Sequence, residues 1–344
     1  MLCIAGFVNG CSTSKANDAS EEAKALLQNL KYNELVLLCE QNLKSDPNNP
    51  EYLAYLGVGH AGLKNYKLAK DALEKAITLD AKNAWYYTKR AEAYSELGEY
   101  EKGLLDANRA IEIDPKYTLA MATKAKLYLA SGRTEESLDS ARQALAIDKN
   151  FWQATEYVLV ASMINGKSEE AIETAEKLIA QFPSAAIGYT DKAACLLVID
   201  QPVKAKVASD KALAVAPNDI RTLLVSALLA ARRGDEKIAL KQLDKAEKLE
   251  NGGTIALRHR AYTFLFLKKN NEAIKVCNSI ISKETEIAKD VTANKPFSTG
   301  IAYRIRAEAY KRLKLDKQAE SDMKKALSLG YQKRSFVEQY LKLH

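Results

Sequence analysis

Residues 57–62, GVGHAG, match the G-x-G-x-x-G pattern with which a dinucleotide-binding loop approaches a pyrophosphate. Asp80 lies near the distance at which an acidic ribose ligand is expected. Such a loop must follow a buried strand and open a helix. Here Leu53, Leu56 and Leu63 recur at helical spacing on both sides of the glycines, which places the motif inside a helix. We therefore expect no dinucleotide and no other cofactor at this motif.

The other residues with catalytic or metal-binding potential are isolated. His60, His259 and His344 have no second histidine, cysteine or carboxylate at ligand spacing, so the sequence predicts no metal site. The five cysteines contain no C-x-x-C pair, and no nucleophile elbow, phosphate loop or H-E-x-x-H helix occurs. We expect no catalytic residues, and we interpret the chain as a protein that is not an enzyme.

A pattern that returns every 34 residues organises the chain, and its clearest copy is residues 84–117. Ala91 and Tyr94 belong to an apolar face with helical spacing that stops at Gly98. A second apolar helical stretch follows and stops at Pro115, because proline cannot continue a helical hydrogen-bond ladder. The unit is therefore predicted to be a helical hairpin.

This hairpin resembles the tetratricopeptide repeat family. The family has a small residue at position 8, an aromatic at 11, Gly at 15, Tyr at 17, Ala at 20 and 27, and Pro at 32. The residues here are Ala91, Tyr94, Gly98, Tyr100, Gly103, Ala110 and Pro115, of which only Gly103 departs from the signature. The resemblance implies an all-α fold, a right-handed α-solenoid of about nine hairpins with a C-terminal capping helix.

The repeat register divides the chain into segments. Eight contiguous units fill residues 16–287, a polar insertion occupies 288–299, a ninth unit covers 300–332, and an amphipathic capping helix is expected at 333–344. Cys39, Cys195 and Cys277 fall at repeat positions that hold small or apolar residues in other units, so we expect them in the core.

Residues 1–15 resemble the end of a bacterial lipoprotein signal followed by a tether. An apolar run leads to Cys11, and polar residues from Ser12 follow it. The resemblance implies lipidation of Cys11 and a lipid-anchored, periplasm-facing protein of the bacterial envelope, with Ser12 favouring the outer membrane. No Lys or Arg precedes Lys15, whereas a secretory signal opens with positive charge. The alternative is a cytoplasmic protein in which Cys3 and Cys11 are ordinary thiols.

Charge and hydrophobicity restrict the partners. The net charge is +7, yet 51 basic and 44 acidic residues are interleaved as on solvated helix faces, so we expect no nucleic-acid binding. The apolar runs of the repeats are too short to span a bilayer. A protein or peptide partner is the remaining expectation.

The family resemblance places positions 2, 5, 9, 12 and 13 of each unit on a concave groove that binds a partner segment. The candidates are Leu129, Val160, Met163, Ile164, Leu197, Val198, Arg221, Leu224, Leu228, Arg232, Arg258, Leu265 and Phe266. We expect about half of the apolar ones to be buried between repeats. The groove is apolar with basic residues in its later part, which favours a partner with an apolar stripe and acidic residues. Position 9 carries no Asn, so the family's clamp for a chaperone C-terminal carboxylate is missing.

These patterns predict a non-enzymatic scaffold that binds a partner segment in the groove and helps to assemble a bacterial envelope complex. Two alternatives stay open: an unanchored cytoplasmic adaptor, and a regulatory domain of an enzyme.

Overall fold

The protein is all-helical and forms two compact units, unit 1 (Met1–Tyr157) and unit 2 (Val158–His344). The structure, a computed structural model, describes residues 16–250, 253–287, 298–329 and 331. These residues form 18 helices and no strand, which confirms the predicted all-α repeat fold. Within the same ranges, no helix combines the length and apolar character that crossing a bilayer requires.

Unit 1 contains eight helices and the start of a ninth, in which the boundary between the units falls. They are α1 (Ala16–Gln28), α2 (Tyr32–Ser45), α3 (Pro50–Gly62), α4 (Tyr66–Leu79), α5 (Ala84–Leu97), α6 (Tyr100–Ile113), α7 (Thr118–Ala130), α8 (Thr134–Ile147) and α9 (Trp152–Ile164).

Unit 2 continues the alternation of helices after α9. Its helices are α10 (Ser168–Gln181), α11 (Ala186–Val198), α12 (Pro202–Val215), α13 (Ile220–Arg232), α14 (Glu236–Glu250), α15 (Ile255–Phe266), α16 (Asn270–Ile287), α17 (Ser298–Arg312) and α18 (Asp316–Ser328). The insertion predicted at 288–299 ends two residues earlier than expected, because α17 begins at Ser298. The hydroxyl of Thr299 donates a hydrogen bond to the buried Glu284 carboxylate of α16. The rest of the insertion and the predicted capping helix at 333–344 lie outside the described residues.

Odd-numbered helices have more helix neighbours than even-numbered ones. Besides their sequence neighbours, successive odd helices pack against each other from α1 to α7 in unit 1 and from α11 to α17 in unit 2. An odd helix must therefore carry a wide apolar face. We call the partly exposed sides of these helices the odd-helix face of each unit.

Small residues allow the two helices of a hairpin to approach closely. Ala91 and Ala110 are fully buried, as their repeat positions predict. At Gly57, an added Cβ would lie 2.7 Å from Leu73 Cγ, closer than packed carbon atoms approach. The glycines of the G-x-G-x-x-G motif thus lie within α3, where a Cβ at Gly59 would meet Val36 of α2 at 2.8 Å. Close helix packing explains this motif.

The turn between the helices of each hairpin uses one left-handed residue. The nine residues with positive φ in the described chain are Leu30, Lys64, Gly98, Gly132, Gly166, Asp200, Gly234, Lys268 and Lys314. They follow one another at intervals of 34 residues up to Lys268, and Lys314 comes 46 residues later. This position is therefore a backbone marker of the repeat. Glycine suits it because it has no Cβ to clash in the left-handed region, and five units tolerate another residue there.

Side-chain caps fix the start of several odd helices. Asn49 accepts hydrogen bonds from the backbone N–H groups of Glu51 and Tyr52, and Pro50 begins α3 with a fixed φ. The Asp219 carboxylate accepts from the N–H of Thr222 at 2.8 Å in α13. These caps satisfy donors that the helix itself leaves unpaired.

Candidate functional site

Five of the groove candidates are core residues. Met163, Leu197, Leu224, Leu228 and Leu265 are each at most 3% exposed. Leu197, Leu228 and Leu265 belong to one core cluster and Leu224 to another, so part of the apolar face of α11, α13 and α15 is buried inside the repeats. These five are half of the ten apolar candidates, the share that was expected to be buried between repeats, and they leave no side-chain surface for a partner.

The other apolar candidates remain accessible. Leu129 in unit 1 is partly exposed, as are Val160, Ile164 and Val198 in unit 2. Phe266 is also partly exposed and packs its buried side against a cluster that includes Ala231. Their role in binding stays a prediction. Cys11 lies outside the described residues.

The three candidate arginines of unit 2 differ in how their charge is compensated. Arg221, half-exposed, donates to the buried carboxylate of Asp191. Arg232 donates from Nη2 to Asp200 Oδ1 at 2.7 Å, although Asp200 itself is 69% exposed. Arg258 forms no ion pair with the described residues.

The ninth hairpin adds two arginines that the sequence interpretation missed. Arg304 and Arg312 of α17 both donate to Glu308, at 3.3 and 3.2 Å, and lie mostly out of solvent. Arg312 also donates from Nη1 to the backbone carbonyl of Leu265 in α15, at 2.8 Å. The two helices thus join through an arginine side chain.

Repeat position alone could have identified these two residues. In the ninth unit Arg304 occupies position 5, as Arg258 does in the eighth, and Arg312 occupies position 13, as Arg232 does in the seventh. The predicted groove residues end with the eighth unit, so they do not include the arginines at the same positions of the ninth unit. We call Arg232, Arg258, Arg304 and Arg312 the arginine cluster.

Several donors in this region are buried without a hydrogen-bond partner among the described residues. They are Arg232 Nη1, Arg258 Nε, Arg312 Nη2 and the hydroxyls of Thr263 and Tyr262, which are 0% and 5% exposed. Buried polar groups are almost always hydrogen-bonded in native proteins, so a concentration of unpaired donors calls for an explanation. On the described odd helices of unit 1 the buried polar side-chain atoms without a partner are His60 Nδ1 and Gln153 Oε1.

The Tyr262 hydroxyl lies in a field of positive charge. Burial raises the pKa of Tyr262 well above its usual value and Tyr331 raises it further, while the guanidinium groups of Arg258 and Arg304 oppose that rise. His259, one residue away from Arg258, adds no charge at neutral pH, because burial lowers its pKa to about 4. The arginines are therefore the source of the positive potential here.

The odd helices of unit 1 carry carboxylates at groove positions 2, 9 and 13, and each has a nearby donor. The pairs are Lys89–Glu92 at 3.0 Å, Lys126–Glu96 at 2.7 Å and Ser20–Glu51 at 2.5 Å.

The described residues bear on the sequence-based expectations for metal ligands and reactive thiols. They contain no group of three or more His, Cys, Asp or Glu side chains that could hold a metal ion. Cys39, Cys195 and Cys277 are fully buried, which confirms their predicted core placement. Burial raises the pKa of the Cys39 thiol to about 12 and that of Cys195 further. These thiols are therefore protonated and poorly nucleophilic at neutral pH.

Comparison with known proteins places the repeats in a family. A tetratricopeptide repeat family model matches residues 56–83, 86–117 and 120–151. A human relative, small glutamine-rich tetratricopeptide repeat-containing protein beta, is 37% identical over 71 residues. That match covers 21% of this chain and 23% of the relative, so the chain spans about a quarter of the length of that relative.

Two solved structures share the fold. One is a tetratricopeptide repeat protein from Parabacteroides merdae, 18% identical, with a TM-score of 0.59 over 73% of this chain and 97% of that one. The other is PilW, described as a widely conserved type IV pilus biogenesis factor. It is 20% identical, with a TM-score of 0.51 over 58% of this chain and 92% of PilW. At these identities the likeness concerns the fold alone.

Proposed function

We propose that this chain is a tetratricopeptide repeat scaffold for protein or peptide partners and that it binds a partner segment on the odd-helix face of unit 2. The observation that carries this proposal is the arginine cluster. Its unpaired donors lie on α13, α15 and α17, the helices whose partly exposed side the family uses for binding. No comparable set of unpaired donors occurs on the described odd helices of unit 1.

The chemistry of this face defines the partner. Val198 and Phe266 offer partly exposed apolar surface, and arginines lie on neighbouring helices. A segment that alternates apolar and acidic residues complements both features, since apolar contact supplies affinity and charge complementarity supplies orientation. We therefore propose an acidic, amphipathic segment as the ligand.

A pair of matched variants tests the location of binding. Val198→Asp introduces a negative charge on the odd-helix face of unit 2, and Val207→Asp introduces the same change at an exposed site of the even helix α12. We expect Val198→Asp to weaken partner binding about tenfold or more and Val207→Asp to leave it unchanged. Equal binding by both variants would place the partner elsewhere.

We further propose that the chain acts in the bacterial envelope as a lipid-anchored assembly factor. The motif around Cys11 supports an anchor, and the fold shared with the pilus biogenesis factor PilW supports an assembly role. Metabolic labelling with a radioactive or alkyne-tagged palmitate tests the anchor. We expect label on the wild-type protein and none on Cys11→Ala, which should be released from membranes. A Cys11→Ala protein that still sediments with membranes would contradict the anchor, and a wild type found only in the cytoplasm would identify an unanchored adaptor.

We assign no catalytic role to the chain. A buried, protonated thiol cannot attack a substrate, and the described side chains form no metal cluster. Turnover in a hydrolase or transferase panel that is lost on a single substitution would overturn this assignment.

A further inference from the structure

The solvent-exposed side of α14 carries a row of lysines. Positions 18, 22, 26 and 29 of the seventh unit are Lys237, Lys241, Lys245 and Lys248, which we call the lysine stripe. No other unit carries more than two basic residues at these four positions. Because the lysines are three or four residues apart, their side chains lie on one face of α14, over a length of about 16 Å.

The lysine stripe is accessible. All of its residues are exposed except Lys245, which is partly exposed. An open groove of about 490 Å³ runs along the stripe and is lined by the four lysines together with Leu240 and Asp244. Lys245 donates from Nζ to the backbone carbonyl of Pro217 at 2.7 Å, and the other three ammonium groups form no ion pair or hydrogen bond with the described residues. A ligand in solution can therefore reach the stripe.

The carboxylates of α14 are engaged by other partners. Each of the four has a partner in α15 or in the turn after it: Lys269 for Glu236, Arg260 for Asp244 and Glu247, and the backbone N–H groups of Ile255 and Ala256 for Glu250. None of these carboxylates pairs with a lysine of the stripe. The stripe thus has no counterion among the described residues.

Lysines at this spacing do not stabilise the helix that carries them. Lys241 lies four residues from both Lys237 and Lys245, and like charges four residues apart destabilise a helix. An anionic surface against the stripe would remove this repulsion. A ligand therefore explains the row of lysines better than the fold does.

Aliphatic side chains border the stripe. Ile238 and Leu249 each follow a lysine of the stripe by one residue, so both lie on the same side of it, and they are 46% and 45% exposed. On α12, Val203 occupies position 18, as Lys237 does on α14, and is 79% exposed. Lysines beside exposed aliphatic side chains are typical of a helix that lies at a membrane interface.

The choice of lysine over arginine distinguishes between anionic partners. Arginine has a planar fork that recognises a single carboxylate or phosphate, whereas lysine presents a compact charge on a flexible stem. Four lysines in a row therefore suit a surface with many negative charges better than one acidic group of a protein.

We propose that the lysine stripe docks the folded repeats on an anionic phospholipid bilayer. The ammonium groups bind at the level of the lipid phosphates, and Ile238 and Leu249 contact the boundary of the acyl chains. Each basic side chain near such a surface adds to the affinity, and the attraction falls off within a Debye length. Docking requires neither the odd-helix face nor a lipid on Cys11, so it goes beyond the proposed function.

Vesicle sedimentation tests the docking. The full chain carries Cys11→Ala in every sample, so that no lipid anchor contributes. One set of vesicles is phosphatidylcholine alone, and the other contains equal parts of phosphatidylcholine and phosphatidylglycerol. At low ionic strength we expect the protein to bind the anionic vesicles roughly tenfold or more tighter than the neutral ones, and added salt should remove the difference.

Two results would overturn the docking: equal binding to both kinds of vesicle, and binding to neither. Both would leave the proposed function untouched, because partner binding on the odd-helix face and palmitate label on Cys11 are measured without these vesicles.

A pair of double variants assigns the binding to the stripe. Lys241→Gln with Lys248→Gln removes two charges of the stripe. The control, Lys82→Gln with Lys149→Gln, removes two charges from exposed lysines of unit 1 that form no ion pair with the described residues. We expect the stripe variant to bind anionic vesicles roughly tenfold or more weaker than the control. Equal weakening by both would mean that net charge attracts the protein, and the stripe would lose its role.

Competition separates a bilayer from other polyanions. Polyglutamate or duplex DNA is added to the protein on anionic vesicles, at the same concentration of negative charge as the lipid. We expect the protein to stay on the vesicles, because neither competitor offers acyl chains to Ile238 and Leu249. Complete release by polyglutamate would assign the stripe to an acidic protein segment, and complete release by DNA would assign it to a nucleic acid. Either result would overturn the membrane assignment.

Thermal melting without vesicles shows whether the stripe serves the fold. Removing the charge of Lys241 relieves its repulsion with two neighbouring lysines, so the stripe variant should melt at the same temperature as the control or at a higher one. A lower melting temperature for the stripe variant would show that these lysines support α14 and would overturn their assignment to a ligand.

Discussion

The odd-helix faces of the two units use charged residues in opposite ways. In unit 1, Glu92 and Glu96 lie within 3.0 Å of Lys89 and Lys126. In unit 2, Arg232 Nη1, Arg258 Nε and Arg312 Nη2 are buried without a hydrogen-bond partner among the described residues. The same repeat therefore carries paired charges on the odd helices of unit 1 and unpaired buried donors on those of unit 2. The difference lies in side-chain pairing, since the helices that carry the residues are alike.

The largest expected effect separates core from face within α11. Leu197 is fully buried and the adjacent Val198 is partly exposed. Leu197→Asp should lower the free energy of unfolding by about 4 kcal/mol, because it removes apolar packing and buries a charge. Val198→Asp should cost less than about 1 kcal/mol. Urea unfolding followed by circular dichroism measures both, and similar losses would mean that Val198 belongs to the core.

A second prediction tests whether the two units differ anywhere except on the odd-helix face. Each contains a bidentate pair at the same repeat positions: Arg90–Asp106 in unit 1, with Nε–Oδ2 of 2.7 Å, and Arg306–Asp322 in unit 2, at 2.6 Å. Asp106→Asn and Asp322→Asn should each destabilise by about 2 kcal/mol, because a mostly buried guanidinium loses its counterion. If thermal melting shows a loss of stability for only one of the two variants, the two arginine–aspartate pairs are not equivalent.

The left-handed turn offers a smaller effect that should be shared by both units. Lys64 in unit 1 and Lys268 in unit 2 have φ of 65° and 58°, whereas Gly98 occupies the same position without strain. We expect Lys64→Gly and Lys268→Gly to stabilise by about 0.5 kcal/mol and Gly98→Ala to destabilise by about 1 kcal/mol. Differential scanning calorimetry detects these shifts. Destabilisation by both glycine substitutions would mean that side-chain contacts, rather than backbone strain, dominate at this position.

The smallest effect is a pH dependence. Burial lowers the pKa of His259 in unit 2 to about 4 and also lowers that of His60 in unit 1. In the unfolded chain these imidazoles bind a proton near pH 6.5, whereas in the folded chain they bind it only at lower pH. The free energy of unfolding is therefore at its full value above about pH 6.5 and falls as the pH drops from about 6.5 to about 4. His259→Gln should flatten this decline. If the decline is as steep in His259→Gln as in the wild type, the histidine is not buried as a neutral ring.

Most of the helical hairpins could be predicted from the sequence, because small residues determine close helix packing locally and helix-breaking residues determine helix ends. Ala91 and Ala110 identify close helix packing directly from their positions. The sequence indicates the left-handed turn only where the turn residue is glycine, as at Gly98. At Lys64 or Asp200 the backbone is forced by the neighbouring helices, and the residue type does not reveal it.

The binding face was less predictable for two reasons. Leu197 and Val198 are both apolar, and which of them is buried depends on how α11 is turned toward its neighbours. The unpaired state of Arg258 Nε depends on which side chains reach it, information that repeat position does not carry. Arg312, in contrast, could have been found by extending the groove positions into the ninth unit.

The most direct test of the account is photo-crosslinking from each odd-helix face in the native cell. A benzoylphenylalanine is placed at Val198 in unit 2, at Leu129 in unit 1, and at the exposed even-helix site Val207 as a control. Mass spectrometry then identifies the crosslinked peptides. We predict that the Val198 position captures one partner segment containing apolar and acidic residues and that the other two positions do not. Capture of the same segment from Leu129 or Val207 with no crosslink from Val198 would contradict the assignment of the binding face to unit 2.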